Sequence, residues 1–153
     1  MYKDALRAAW AEINITNLDF NIKQIKEKVG SGVKITGVVK ADAYGHGSVR
    51  VATVLRANGI ESFAVATLSE AVRLRKSGFV LEEIMVLSPV PEPYIGTIIE
   101  HRLAPVVCDY KNAEAISKAA AKAGILIKGY IAVDTGMGRI GYSDDTTSVE
   151  DVK

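Results

Sequence analysis

Short apolar runs alternate along this chain with stretches in which apolar residues recur every three or four positions. The first periodic stretch, residues 16–29, places Leu18, Ile22, Ile25 and Val29 on one helical stripe and leaves Lys23, Lys26, Glu27 and Lys28 largely off it. Thr16 is positioned to cap this helix, and Gly30 to terminate it in a left-handed conformation. Residues 33–39 then read as a buried strand. The unit repeats. Residues 49–57 are helical and stop at Asn58-Gly59. Residues 63–66 are a strand, and Thr67-Leu68-Ser69-Glu70 has the form of a capping box for a helix that ends at Gly78. Residues 84–87 are a third strand, and Pro89, Pro91 and Pro93 after it suit a loop and a first helical turn. Residues 104–108 are a fourth strand, with Asp109 capping an alanine-rich helix that ends before Gly124. Residues 127–133 are a fifth, and 148–153 begin a further helix. Near the start, Trp10, Ile13 and Ile15 read as a short alternating strand whose side chains pack.

Strands separated by helices at intervals of about 20 to 30 residues call for parallel pairing with right-handed crossovers. The runs are continuously apolar, so both faces of the sheet are expected to be covered. The fold class is α/β, either an open doubly wound sheet or part of a (β/α)₈ barrel. A closed barrel needs about 250 residues. With 153 residues this chain accommodates about five βα units of one.

Composition narrows the function classes. The chain carries 19 basic and 18 acidic side chains, a formal charge of +1, which argues against a nucleic-acid partner. No apolar run approaches the roughly 20 residues that span a bilayer, and the first residues lack a signal-peptide pattern, so a cytoplasmic location is the default expectation. Cys108 is alone and His46 and His101 are far apart, which offers neither a disulfide framework nor a metal site. Cys108 reads as a small apolar residue at a strand end. His101 suits a helix C-terminus.

Two stretches offer chemistry. The first is Val38-Val39-Lys40-Ala41-Asp42-Ala43-Tyr44-Gly45-His46-Gly47. An ammonium at the end of a buried strand is a poor structural choice, because desolvating it costs several kcal/mol. Burial favours the neutral amine, which can condense with an aldehyde cofactor and shuttle protons. Gly45 and Gly47 let backbone pass close to a bound group, Tyr44 offers a hydroxyl to a phosphate, and His46 either touches a phosphate or opens the next helix. The competing reading is a strand-end lysine extending into solvent beside an ordinary glycine turn.

The second stretch, Asp134-Thr135-Gly136-Met137-Gly138-Arg139-Ile140-Gly141-Tyr142, has several readings. Gly136, Gly138 and Gly141 match the G-x-G-x-x-G dinucleotide fingerprint, although the following residues read as a loop. Asp134-Thr135-Gly136 matches the aspartic-protease triplet, in a chain whose alternation does not suit that all-β fold. The third reading is an anion-holding loop of backbone amides plus Arg139, whose planar fork suits a carboxylate or phenolate. The fourth is a plain glycine turn with Arg139 paired to a neighbouring acid.

Taken together, the ten residues from Val38 to Gly47, the opening Ala9-Trp10-Ala11-Glu12-Ile13-Asn14 and the stretch from Asp134 to Gly141 resemble the alanine racemase family in the same order. That resemblance implies an N-terminal (β/α)₈ barrel, pyridoxal 5'-phosphate as cofactor, and interconversion of L- and D-alanine, the supply of D-alanine for cell-wall synthesis. It makes Lys40 the cofactor-holding lysine and one of two acid/base groups at the substrate Cα. It assigns Tyr44 to the cofactor phosphate, and Arg139 to the phenolic oxygen and the substrate carboxylate. Two departures stand out. Where family members often carry a carbamylated lysine, this chain has Ala132, so Arg139 must be oriented differently. The resemblance also covers only the first part of a longer enzyme: the remaining barrel strands and the C-terminal β-domain, with its second catalytic tyrosine, are absent from 1–153. The expectation is an incomplete barrel domain, inactive alone, that takes an amino-acid substrate and self-associates as a homodimer or larger species. The alternatives are a non-catalytic pyridoxal-phosphate-binding protein and a dinucleotide-binding domain using Gly136, Gly138 and Gly141.

Overall fold

In the computed structural model the described residues are 9–143, so the expected helix at 148–153 and the first eight residues lie outside them. Five strands, β1 (Thr36–Val38), β2 (Ser62–Val65), β3 (Glu83–Val86), β4 (Ala104–Val107) and β5 (Tyr130–Ile131), lie side by side in sequence order, every neighbouring pair parallel. Between them run α1 (Ile15–Val29, ahead of β1), a short turn α2 (Lys40–Tyr44), α3 (Ser48–Ala57), α4 (Leu68–Lys76), α5 (Ile95–His101) and α6 (Tyr110–Lys122).

The strand order decides between the two architectures open to the sequence. A doubly wound sheet reverses direction at a switch point. The order β1-β2-β3-β4-β5 never reverses, so each crossover advances the same way, as in the wall of a (β/α)₈ barrel. The fold is five consecutive parallel strands of such a barrel, with the sheet not closed.

The core lies between the sheet and its helices. Phe63, Ile84, Val86 and Val65 are buried with Ala52, Leu55, Ala71, Leu74 and Ile98. Phe63 and Phe79 meet edge to face at 5.4 Å between ring centroids, and the Arg56 guanidinium covers the Phe79 ring. The other face differs from the expectation of two covered faces. Exposure alternates along β1 and β3, and Val38 and Ile131 are exposed. No layer among the described residues covers that inner face.

Local signals read from sequence mostly hold. Thr67 and Glu70 form the capping box of α4, and Asp109 accepts the Asn112 N–H to cap α6. Three expectations are corrected. Asn14, not Thr16, caps α1 through the Asn17 N–H at 3.0 Å, so the helix starts at Ile15, two residues before a Thr16 cap would start it. That cap turns the chain helical at Ile15. Residues 9–14 therefore form no strand, and Trp10 is 59% exposed. On the expected stripe of α1 only Ile22 is buried, while Ile25 and Val29 stay exposed, because this helix packs mainly on α3. Among the described residues no helix is long and apolar enough to cross a membrane.

Candidate active site

At the C-terminal ends of the strands the open inner face forms a cleft of about 690 Å³. Lys40 reaches it from the end of β1, Ala66 from β2, Leu87 and Ser88 from β3, and Asp134 and Arg139 from the loop after β5. This is the end of a parallel barrel at which the loops after the strands build catalytic sites. Lys40 and Arg139, distant in sequence, thus share one cleft.

Lys40 is half-buried and opens an unusual turn. Ala41, Asp42, Ala43 and Tyr44 all have φ between +50° and +54°, one turn of left-handed helix made without glycine. Such a conformation costs an L-residue roughly 1–2 kcal/mol, so surrounding contacts must hold it. They are present. Ala43 N–H donates to Val39 O, and Gly47 N–H to Asp42 O at 2.8 Å. The Asp42 carboxylate accepts the Ser48 N–H and hydroxyl, and Arg73 of α4 pairs with it at 3.3 Å. Glu70, also of α4, accepts the Ala41 N–H at 2.6 Å. Sequence patterning showed Glu70 only as a capping residue; its reach to Ala41 becomes visible only once β1 and β2 are paired.

On the opposite wall, Asp134 organises its own loop. Its Oδ1 accepts the N–H groups of Gly136 at 2.9 Å and Gly138 at 3.0 Å. Those donors, Gly138 first, hold its carboxyl below the usual range. This corrects the anion-loop reading, because Asp134 itself occupies the amides that were to face a ligand. Arg139 is left as the candidate anion-binding group. Arg139 is exposed and makes no ion pair among the described residues, while the neighbouring acids Asp144 and Asp145 lie outside them. After Ile140 the chain returns to β5, where Tyr142 N–H donates to Ala132 O and Asp134 N–H to Tyr142 O. Gly141 is required there, since a Cβ would lie 2.9 Å from the Ala132 carbonyl and from Asp134 N.

Other candidates fall outside the cleft. Tyr44 sits on the left-handed turn with its side chain 63% exposed and does not line the cleft. His46 Nδ1 faces the backbone carbonyls of Ala43 and Tyr44, an internal role. Gly136 to Gly141 adopt no helix, so the helix N-terminus that a dinucleotide fingerprint needs is missing from this motif. The Cys108 thiol is pushed up by burial and by Asp109, as suits a packed, neutral side chain.

A larger hollow, about 820 Å³, opens at the N-terminal ends of the strands. It contains a polar row: Thr36 Oγ1 to Ser62 Oγ at 3.0 Å, Ser62 to Glu83, and Glu83 to Lys128 and Tyr130. Burial pushes the Glu83 carboxyl up, but the hydrogen bonds from Lys128 and Tyr130 outweigh it and hold it low. The groups of this row are paired with one another, and this end of a barrel generally carries stability rather than chemistry.

Known proteins resemble this chain in sequence and fold. Alanine racemase of Clostridium kluyveri is 47% identical over 146 residues, covering 95% of this chain and 37% of that protein. Alanine racemase 1 of Clostridium acetobutylicum is 46% identical over 96% of the chain and 38% of its own length. The structure of alanine racemase from Clostridium difficile 630 superposes with a TM-score of 0.91 at 34% identity, over 97% of this chain and 39% of that one. A histidine racemase from Leuconostoc mesenteroides subsp. sake superposes at 0.80 with 27% identity, over 99% and 41%. The chain thus spans under two-fifths of the length of the curated relatives named here. Residues 13–152 match the family described as alanine racemase, N-terminal domain, and the chain belongs to that family.

Proposed function

We propose that this chain carries the lysine half of an amino-acid racemase site that interconverts L- and D-alanine with pyridoxal 5'-phosphate. The observation that carries the reading is the shared cleft of Lys40 and Arg139 at the C-terminal ends of the strands. The residues suit the cofactor: a half-buried primary amine can condense with its aldehyde, and an exposed guanidinium can take its phenolic oxygen. When bound, the cofactor supplies an electron sink for the negative charge that develops at the substrate Cα.

In this reading Lys40 holds the cofactor and then exchanges a proton at Cα from its own face. Arg139 orients the cofactor's phenolic oxygen and the substrate carboxylate, and Tyr44, exposed on the left-handed turn outside the cleft, is the candidate phosphate group. Ala132 places no side-chain charge beside Arg139, so the Asp134-anchored loop sets the arginine's position. Racemisation needs a second acid/base group on the opposite face of Cα. In this reading that group lies in a further part of a longer chain, of which these 153 residues would be one portion. The expected cellular role is the supply of D-alanine in the cytoplasm.

The test is the visible spectrum of the purified chain with added pyridoxal phosphate, repeated with Lys40→Ala. A band that borohydride reduces onto Lys40, lost in the variant, supports the reading. Attachment elsewhere, or none, overturns it for this chain. D-alanine formation from L-alanine above the Lys40→Ala background would overturn the external origin of the second group.

A further inference from the structure

Glu70 stands between two structures that must agree if Lys40 is to point into the cleft. Its Oε2 accepts the N–H groups of Ala66 at 2.9 Å and Thr67 at 3.0 Å, where β2 ends and α4 begins. Its Oε1 accepts the N–H of Ala41 at 2.6 Å, in the residue after Lys40. Ala41 is also the first residue of the left-handed turn, with φ +50°. Three donors therefore converge on one carboxylate from two strand ends.

We infer that Glu70 is a positioning residue for Lys40: its carboxylate fixes the start of the left-handed turn against the end of β2, and so sets the direction of the lysine. The chemistry of the group makes this specific. A carboxylate is acceptor-only, with two oxygens, and can serve donors on both sides at once. A capping box alone would be satisfied by glutamine as well as by glutamate. Here glutamine would present its NH₂ group to a third N–H donor. With two donors at the α4 start and one at Ala41, the amide oxygen faces α4 and the Ala41 contact is lost. The remaining contacts of the turn, through Asp42 to Ser48 and Arg73, lie beyond Ala41 and do not replace that anchor.

The inference rests on the cofactor role of Lys40 for its consequence, but its geometry is testable without the cofactor. The experiment uses the full chain and Glu70→Gln, read by amide hydrogen exchange and by borohydride trapping of pyridoxal phosphate on Lys40. Thr67→Ala, which weakens the α4 cap without touching Ala41, serves as the control. We expect Glu70→Gln to speed exchange at Ala41 at least tenfold, to leave Ala66 and Thr67 within twofold, and to slow trapping at least fivefold. Thr67→Ala is expected to change neither Ala41 exchange nor trapping by more than twofold. Unchanged exchange at Ala41 in Glu70→Gln would overturn the inference, as would unchanged trapping where the parent chain traps. If the parent chain traps nothing on Lys40, the proposed function fails, and Ala41 exchange alone decides whether Glu70 sets the turn.

Discussion

Asp42 Oδ1 accepts both the backbone N–H and the hydroxyl of Ser48, at 2.8 and 2.9 Å, so a single carboxylate oxygen closes the loop after Lys40 and starts helix α3. The same oxygen lies 3.3 Å from Arg73, which ties the loop to α4. The left-handed turn and two helices therefore depend on one side chain. Replacing Asp42 with Ala should lower stability by about 1–2 kcal/mol, the upper part of the range for a lost helix cap. The urea midpoint at pH 7 is the measurement.

That contribution should also depend on pH. The Ser48 N–H first, the Ser48 hydroxyl next and Arg73 more weakly hold the Asp42 carboxyl below its ordinary value. A carboxyl that titrates lower in the folded than in the unfolded state stabilises fully above its unfolded value, about pH 4. The stabilisation fades as the pH falls through the lower folded value. The gap between the parent and Asp42→Ala should hold from pH 7 to about pH 5 and narrow below pH 4. A gap that widened on acidification would contradict this sign.

Arg75 presents a different test. Its guanidinium donates to the carbonyls of His101, Phe79, Glu82 and Arg102 at 2.6 to 3.0 Å, stitching α4 to the ends of α5 and the loop before β3. Lysine has no planar fork and cannot serve four separated acceptors. Arg75→Lys and Arg75→Met should each cost about 2–4 kcal/mol, since unsatisfied carbonyls are expensive where water reaches them poorly. A lysine variant as stable as the parent in chemical denaturation would refute the role.

Gly136 and Gly141 look alike in sequence but should not behave alike. Both have positive φ, +117° and +113°. A Cβ on Gly136 meets open space, whereas on Gly141 it meets backbone atoms of Ala132 and Asp134 at 2.9 Å. Gly141→Ala should therefore cost about 1–3 kcal/mol more than Gly136→Ala, the size of an overpacking penalty. It should also expose the Asp134 and Tyr142 amides to exchange. Equal effects at the two positions would show that only backbone conformation matters.

The inner face of the sheet and its two outer strands should make the chain self-associate. Val38, Ile131 and Val133 are exposed there, and among the described strands β1 pairs only with β2 and β5 only with β4. Parallel edges with exposed apolar side chains recruit other chains. Light scattering of the 153-residue chain should show a mass that rises with concentration. A constant monomer mass over a hundredfold range would contradict it.

The βα repeat was legible because each unit carries its own local signals. Thr67 with Glu70, and Asp109, cap helices by contacts within three or four residues, so their roles are readable without a fold. The stretch from Val38 to Gly47 was legible as a candidate because a strand-end lysine followed by two glycines is a poor choice for packing alone, and as a site only through its resemblance to the alanine racemase family. Less was legible at Trp10 to Ile15. There an alternating apolar pattern pointed to a strand, and the Asn14 cap imposed a helix.

Local periodicity and turn chemistry, then, were enough to indicate a parallel α/β chain and to offer Lys40 and Arg139 as candidates, to which the resemblance to the alanine racemase family gave their roles. They could not choose between a doubly wound sheet and a barrel wall, because that choice lies in the order of strands, which no local pattern encodes. Nor could they show that Asp134 occupies the amides of its own loop, or that Glu70 reaches Ala41. Those are hydrogen bonds that depend on how a loop folds back or which strands pair. A side chain's type and spacing limit what it can do; which donors it meets is settled only when distant segments are brought together.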